Sequence, residues 1–238
     1  MNNLFKDDIY YSELGSDCHS QMIFSQFYTE LLEFTFPNKN ERESLETVLE
    51  RNRTQNEKVR SSKAYTFYNR NGKIIAGLIF SYLEELSCMA IEFIVVDEEY
   101  RRRGLATEIL HFVIARVKHT SELDYIVIEI EHPTVISDGN FSYLHFWMKM
   151  NMKVIDLKYI QPALKGGDSP VESLMLCVKC LSNDSMETIS TDFVKRFIVL
   201  YATHACWIEN AECDSSILRM TGELDKRIND LKLIALTN

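Results

Sequence analysis

The 238-residue sequence lacks any run of about 18 apolar residues, which excludes an ordinary membrane-spanning helix. Chain breakers are scarce, with 8 Gly and 4 Pro, and this excludes collagen-like and Pro/Gly-rich low-complexity architectures. The segment Met1 to Tyr10 carries Lys6, Asp7 and Asp8 and no apolar core, so it does not read as a secretory signal. Basic residues are outnumbered, 26 against 35 acidic. The resulting net charge of -9 is a poor match for a nucleic-acid backbone and mildly attracts cationic or amine-bearing molecules; without a long apolar run, no membrane partner is expected. The pair Cys177 and Cys180 has no second ligand pair after it, and strand alternation sends the two side chains to opposite faces; no metal is expected. The six cysteines read as reduced thiols in a cytoplasmic protein.

What is present is a packed α/β pattern. Ser16 or Asp17 can cap a helix with Ile23, Phe24, Phe27, Leu31 and Phe34 at helical spacing, ended by Pro37. Residues Lys39 to Arg60 are dominated by charge, with a short helix around Leu45, Val48 and Leu49. The runs Tyr65 to Tyr68 and Ile74 to Leu83 flank Asn69-Arg70-Asn71-Gly72, a β-hairpin signal. Met89 to Val96 is nearly continuous in apolar residues, and from Ala106 a helical stripe runs through Ile109, Leu110, Val113, Ile114 and Val117. In Asp124 to Glu131 the isoleucines 126, 128 and 130 share the core face, while Val127, Glu129 and Glu131 share the other. Phe141 to Met150 reads as a short helix, followed by strands over Lys153 to Ile160 and Val171 to Val178. The tail from Ser182 carries two helical stripes, one through Phe193, Phe197, Leu200 and Tyr201 and one through Leu218, Leu224, Ile228 and Leu231. A core domain over 1–181 and a helical extension over 182–238 are expected, the extension either covering the core or forming a homodimer interface.

Arg101 to Thr107 joins a buried strand to a helix, whose first N–H groups lack intrahelical partners and can cradle an anion. Gly104 has no Cβ and admits a pyrophosphate, Ala106 is small, and Arg101, Arg102 and Arg103 add positive charge.

The run Val95-Val96-Asp97-Glu98-Glu99-Tyr100-Arg101-Arg102-Arg103-Gly104-Leu105-Ala106 closely resembles the acetyl-CoA signature of the GNAT superfamily of N-acetyltransferases. Its pattern is Gln or Arg, two residues, Gly, one residue, Gly or Ala. The element order from the first helix to about Cys180 matches the same fold. The resemblance implies a mixed central sheet splayed at the cofactor cleft, with acetyl-CoA as cosubstrate. Arg101, Arg102, Arg103, Gly104, Leu105, Ala106 and Thr107 would hold its phosphates, and the backbones of Ile94, Val95 and Val96 its pantetheine arm.

Acetyl transfer to an amine needs a base, because an alkyl amine with a pKa of about 10.4 is protonated near neutrality. Glu129, Glu131 and Glu92 are the candidates; Glu129 stands where some family members carry their base and ranks first. His132, before Pro133, reads as a turn residue. Family members commonly protonate the departing thiolate with a tyrosine, but here Trp147 stands at that position, and an indole N–H cannot act as a titrating acid. Tyr143, one turn earlier on the same face, is the substitute candidate. The segment Lys158 to Leu164 looks like one that closes a strand beside the cleft in a bacterial subgroup; its Tyr159 and Gln161 alternate onto one face and can line the acceptor pocket. Two functions follow: N-acetylation of a primary amine on a small molecule, or a CoA-binding regulatory module without turnover.

Overall fold

The computed structural model describes residues 8–53, 63–135, 142–164, 169–204, 206 and 208–237. The end of the charged segment (54–60), residues 136–141 before the short helix, and Gly166 and Gly167 lie outside them. The chain divides into two compact units, Met1–Tyr82 with Ile91–Glu122, and Leu83–Ala90 with Leu123–Asn238.

The first unit holds, in sheet order, β1 (Tyr10–Glu13), β2 (Lys63–Tyr68), β3 (Ile74–Leu83) as far as Tyr82, and β4 (Cys88–Val96) from Ile91 onward. Strands β1 and β2 pair antiparallel from Tyr10↔Tyr68 to Glu13↔Tyr65. The hairpin closes on Gly72, whose φ of 80° only glycine adopts without cost. A register shift at Phe67/Tyr68 lies beside the five-residue connection 69–73.

Helix α1 (Cys18–Phe27) begins at Asp17, whose Oδ1 accepts from Ser20 N at 2.9 Å. A single π turn, Tyr28–Leu32, follows before α2 (Glu33–Thr35). The extra residue in that turn advances the buried face, so that Leu31 and Leu32 point inward and Phe34 is 82% exposed. Phe34 is therefore not the core residue its spacing predicts. Phe24, Phe27, Tyr28, Ile79 and Val95 close this core. Phe27 packs where Gly77 leaves room: a Cβ there would lie 2.3 Å from Phe27 Cε2. Helix α3 (Leu45–Arg53) contributes Val48, and helix α4 (Leu105–Thr120) buries Leu105, Ile109, Leu110, Val113 and Val117.

In the second unit β5 (Tyr125–Glu131) pairs antiparallel with β7 (Leu174–Cys180), and β7 with β6 (Lys153–Ile155). Helix α5 (Ser142–Lys149) lies between β5 and β6 in sequence. Strand β6 is shorter than its apolar pattern predicts. It stops at Ile155, where Leu157 N turns back to Ile155 O at 2.7 Å.

The tail supplies β8 (Thr188–Ile189), α6 (Thr191–His204), α7 (Ser215–Leu224) and β9 (Leu231–Ala235). The second tail helix ends at Leu224, earlier than expected. Ile228 is 99% exposed, and Leu231 opens a strand that pairs with β6 from Lys153↔Ala235 to Ile155↔Leu233. Helices α6 and α7 bury Val194, Phe197, Ile198, Ile217 and Met220 in one core with Val127, Leu176 and Val178. The β5 face bearing Val127 and Glu129 is thus apolar and covered along much of its length, rather than a carboxylate face alone.

Candidate active site

The turn after β4 is organised by Asp97, whose Oδ1 accepts from Glu99 N at 3.0 Å, and by a 3-10 turn over Glu98–Tyr100. Arg101 folds back and donates from Nε to Val96 O at 2.8 Å. The Arg103 guanidinium lies 5.5 Å from the centroid of the Tyr100 ring. Arg102 (φ 62°) and Gly104 (φ 84°) are both left-handed. Together they turn the chain into α4, whose first intrahelical bond runs from Glu108 N to Gly104 O at 3.1 Å. Gly104 is the N-cap and supplies no side-chain bond, so it does not cap the amides of Leu105, Ala106 and Thr107, the orphan donors of a helix start. A Cβ at Gly104 would meet nothing within 4 Å. The arrangement is an open, amide-lined helix start with three exposed arginines beside it. In the preceding strand Val95 faces the core, while Ile94 and Val96 are half-buried.

Within the second unit the expected residues Glu129, Tyr159 and Gln161 come together. Glu129 Oε1 accepts a short hydrogen bond from Tyr159 OH, and its Oε2 accepts from Gln161 Nε2 at 3.1 Å. Gln161 is placed by a two-bond backbone bridge to Val171. A third donor, Tyr201 OH on α6, reaches Glu129 Oε2 at 3.2 Å. All three donors are nearly buried: Tyr159 is 3%, Gln161 7% and Tyr201 5% exposed. Burial, and then the Glu129 charge, hold the Tyr159 phenol well above its ordinary range, so it stays a donor. The result is a half-buried carboxylate fixed in orientation by neutral groups.

The other candidates lie elsewhere. Glu92, in the first unit, accepts from Ser81 Oγ at 2.7 Å. Glu131 is exposed, and Tyr143 OH donates to its backbone carbonyl at 3.3 Å. His132 Nδ1 shares a 2.7 Å bond with Thr134 Oγ1, as a turn residue does. Sequence reasoning counted Tyr201 only as part of an apolar stripe; its place at i+8 from Phe193 gave no sign of the carboxylate it meets.

The model of the Acetyltransferase (GNAT) family matches residues 25–150. The chain belongs to the GNAT acetyltransferase family. Among solved structures, a GNAT-family protein from Bacteroides thetaiotaomicron is similar at a TM-score of 0.61 and 16% identity, over 84% of this chain and 99% of its own. An acetyltransferase structure from Acinetobacter baylyi gives 0.51 and 14%, over 74% and 94%. A GNAT-family acetyltransferase from Elizabethkingia anophelis with acetyl-CoA bound gives 0.49 and 18%, over 74% and 100%. At these identities the likeness is one of fold. No curated protein matches the chain.

Acetyl-CoA is the cosubstrate of the GNAT family, and the residues fit it: the open space over Gly104 and the uncapped amides suit a pyrophosphate. Trp147, at the position of the expected tyrosine, is 3% exposed and stacks edge-on against Phe146 with centroids 4.6 Å apart. Among the described residues, no helix is long and apolar enough to cross a membrane.

Proposed function

We propose that this GNAT protein transfers the acetyl group of acetyl-CoA to a primary amine on a small molecule, with Glu129 as the base. The observation that carries this reading is the carboxylate itself, oriented by Tyr159, Gln161 and Tyr201. Bound acetyl-CoA supplies a thioester whose carbonyl carbon is the electrophile. The helix start at Gly104 to Thr107 holds its phosphates through backbone amides, with Arg102 and Arg103 adding charge. Glu129 pairs with the incoming ammonium and takes its proton, directly or through one water, freeing the nitrogen lone pair. Tyr159 and Gln161 keep both carboxylate oxygens in place, and the net charge of -9 favours a cationic acceptor.

The leaving thiol has an ordinary pKa near 8.5, so a thiolate can depart with solvent as its proton source. Tyr143 is a less suitable acid than its position on the helix suggests, because its OH already donates to Glu131 O. The buried Trp147 favours one second reading, a CoA-binding regulatory module without turnover. The proposal places the protein in the cytoplasm, acting on a small amine rather than on nucleic acid or membrane.

Free-thiol release from acetyl-CoA across a panel of tyramine, spermidine, agmatine and lysine separates the two readings. Glu129→Gln is expected to lower kcat by about 10²–10⁴-fold. Tight CoA binding with no turnover of any amine supports the module instead.

A further inference from the structure

Helix α6 lies beyond residues 25–150, the span of the family match, yet it reaches the proposed base. Its aromatic side chains form a ladder. Tyr125 and Phe193 have centroids 4.5 Å apart, Phe193 and Phe197 stack at 6.5 Å, and Phe197 and Tyr201 stack at 5.3 Å with 12° between their planes. Spacing of i, i+4 and i+8 puts the three α6 rings on one helical face, so their packing fixes the ring of Tyr201 and aims its hydroxyl. The ladder ends at Glu129 Oε2, 3.2 Å from Tyr201 OH. Gln161 Nε2 meets the same oxygen at 3.1 Å, while Tyr159 OH meets Oε1.

We propose that Tyr201 is a positioning residue for Glu129, and that the tail helix α6 is thereby part of the acceptor end of the site as well as a cover for the second core. This rests on the reading of Glu129 as base. The phenolic hydrogen bond restrains the rotation of the carboxylate about its last torsion, which is otherwise broad, so one oxygen keeps a fixed bearing toward the ammonium. Phenylalanine at 201 keeps the ring stack and removes the hydroxyl that supplies that restraint.

The test is steady-state thiol release with the four-amine panel, using wild type, Tyr201→Phe, Glu129→Gln and the double variant, with a melting curve for each. The expected result is a fall in kcat of about tenfold for Tyr201→Phe with the acetyl-CoA KM unchanged, since the loop at Arg101 to Thr107 contains none of these groups. In the Glu129→Gln background the same substitution is expected to change the rate less than twofold, because residues acting as one unit are not additive. Replacement of Tyr201 by para-aminophenylalanine, which keeps the ring and an N–H donor, is expected to restore most of the rate. It also carries the test if Tyr201→Phe fails to fold.

If Glu129→Gln is inactive while Tyr201→Phe keeps the parent kcat, or if the two losses multiply, the positioning role is refuted and Glu129 stands as base. Full activity in Glu129→Gln refutes both. So does the absence of turnover with every amine while acetyl-CoA binds.

Discussion

Two glycines in the first unit make opposite predictions. At Gly104 the φ of 84° imposes a left-handed cost on any other residue, roughly 1–2 kcal/mol, but the new Cβ of Gly104→Ala meets nothing within 4 Å. Alanine also restricts the unfolded chain, which offsets about 0.4–1 kcal/mol of that cost. The net loss is then about 1 kcal/mol, or roughly 2–4 °C in Tm for a chain of this size. The same methyl group would occupy space through which a pyrophosphate reaches the amides. Calorimetry is expected to show CoA affinity falling by at least about tenfold, equivalent to about 1.4 kcal/mol. Gly77→Ala inverts the pattern. Its Cβ would sit 2.3 Å from Phe27 Cε2 and 2.4 Å from Cζ in a filled core, an overpacking cost of about 1–3 kcal/mol, with affinity held within about twofold once folded. Parent-like CoA affinity in Gly104→Ala, or parallel losses of affinity and stability in both variants, would refute the assignment of the loop.

Three further outcomes follow from burial and charge. Iodoacetamide is expected to label the exposed Cys18 and Cys213 in the native protein and to spare Cys88 and Cys177, whose thiols burial pushes upward, the latter to about 12; peptide mass spectrometry reads the pattern. A chain cut after Leu181 loses α6, α7 and β9 from the second core and is expected to melt at a lower temperature with a smaller unfolding enthalpy, whereas a parent Tm would make the tail an independent appendage. The Asp17 carboxyl is held below its ordinary 3.8, chiefly by the Ser20 hydroxyl and then by the Ser20 amide. Its contribution is therefore present above that value and lost as pH falls through the depressed one. Denaturant melts of wild type and Asp17→Asn are expected to diverge above pH 4 and converge in stronger acid.

Most of the first unit was legible in the sequence because local signals decide it. Asn71-Gly72 sets the hairpin, Asp17 sets the start of α1, and the Arg-x-x-Gly-x-Ala spacing sets the start of α4. The outward turn of Phe34 was not legible, since one extra residue in a π turn shifts the phase of the helix without changing the composition. In the second unit, β9 was read as more helix because Leu224, Ile228 and Leu231 keep a helical spacing across what is in fact a turn. Its strand character comes from pairing with β6, a partner distant in sequence. Glu129, Tyr159 and Gln161 were legible as candidates from alternation and resemblance. Tyr201 was not, because the contact that gives it meaning joins residues 72 positions apart.

The pairing of β6 with β9 also has a temporal consequence. Lys153 bonds across to Ala235, so β6 leaves the ribosome with β7 soon to cover one edge and waits about 80 residues for its partner on the other. During that interval its outer edge is an open template for other strands. The first unit holds local hairpin contacts and can condense earlier. The second unit then completes its sheet only after Leu231 to Ala235 arrives, so translational pausing upstream of that strand prolongs exposure of β6 to chaperones and proteases.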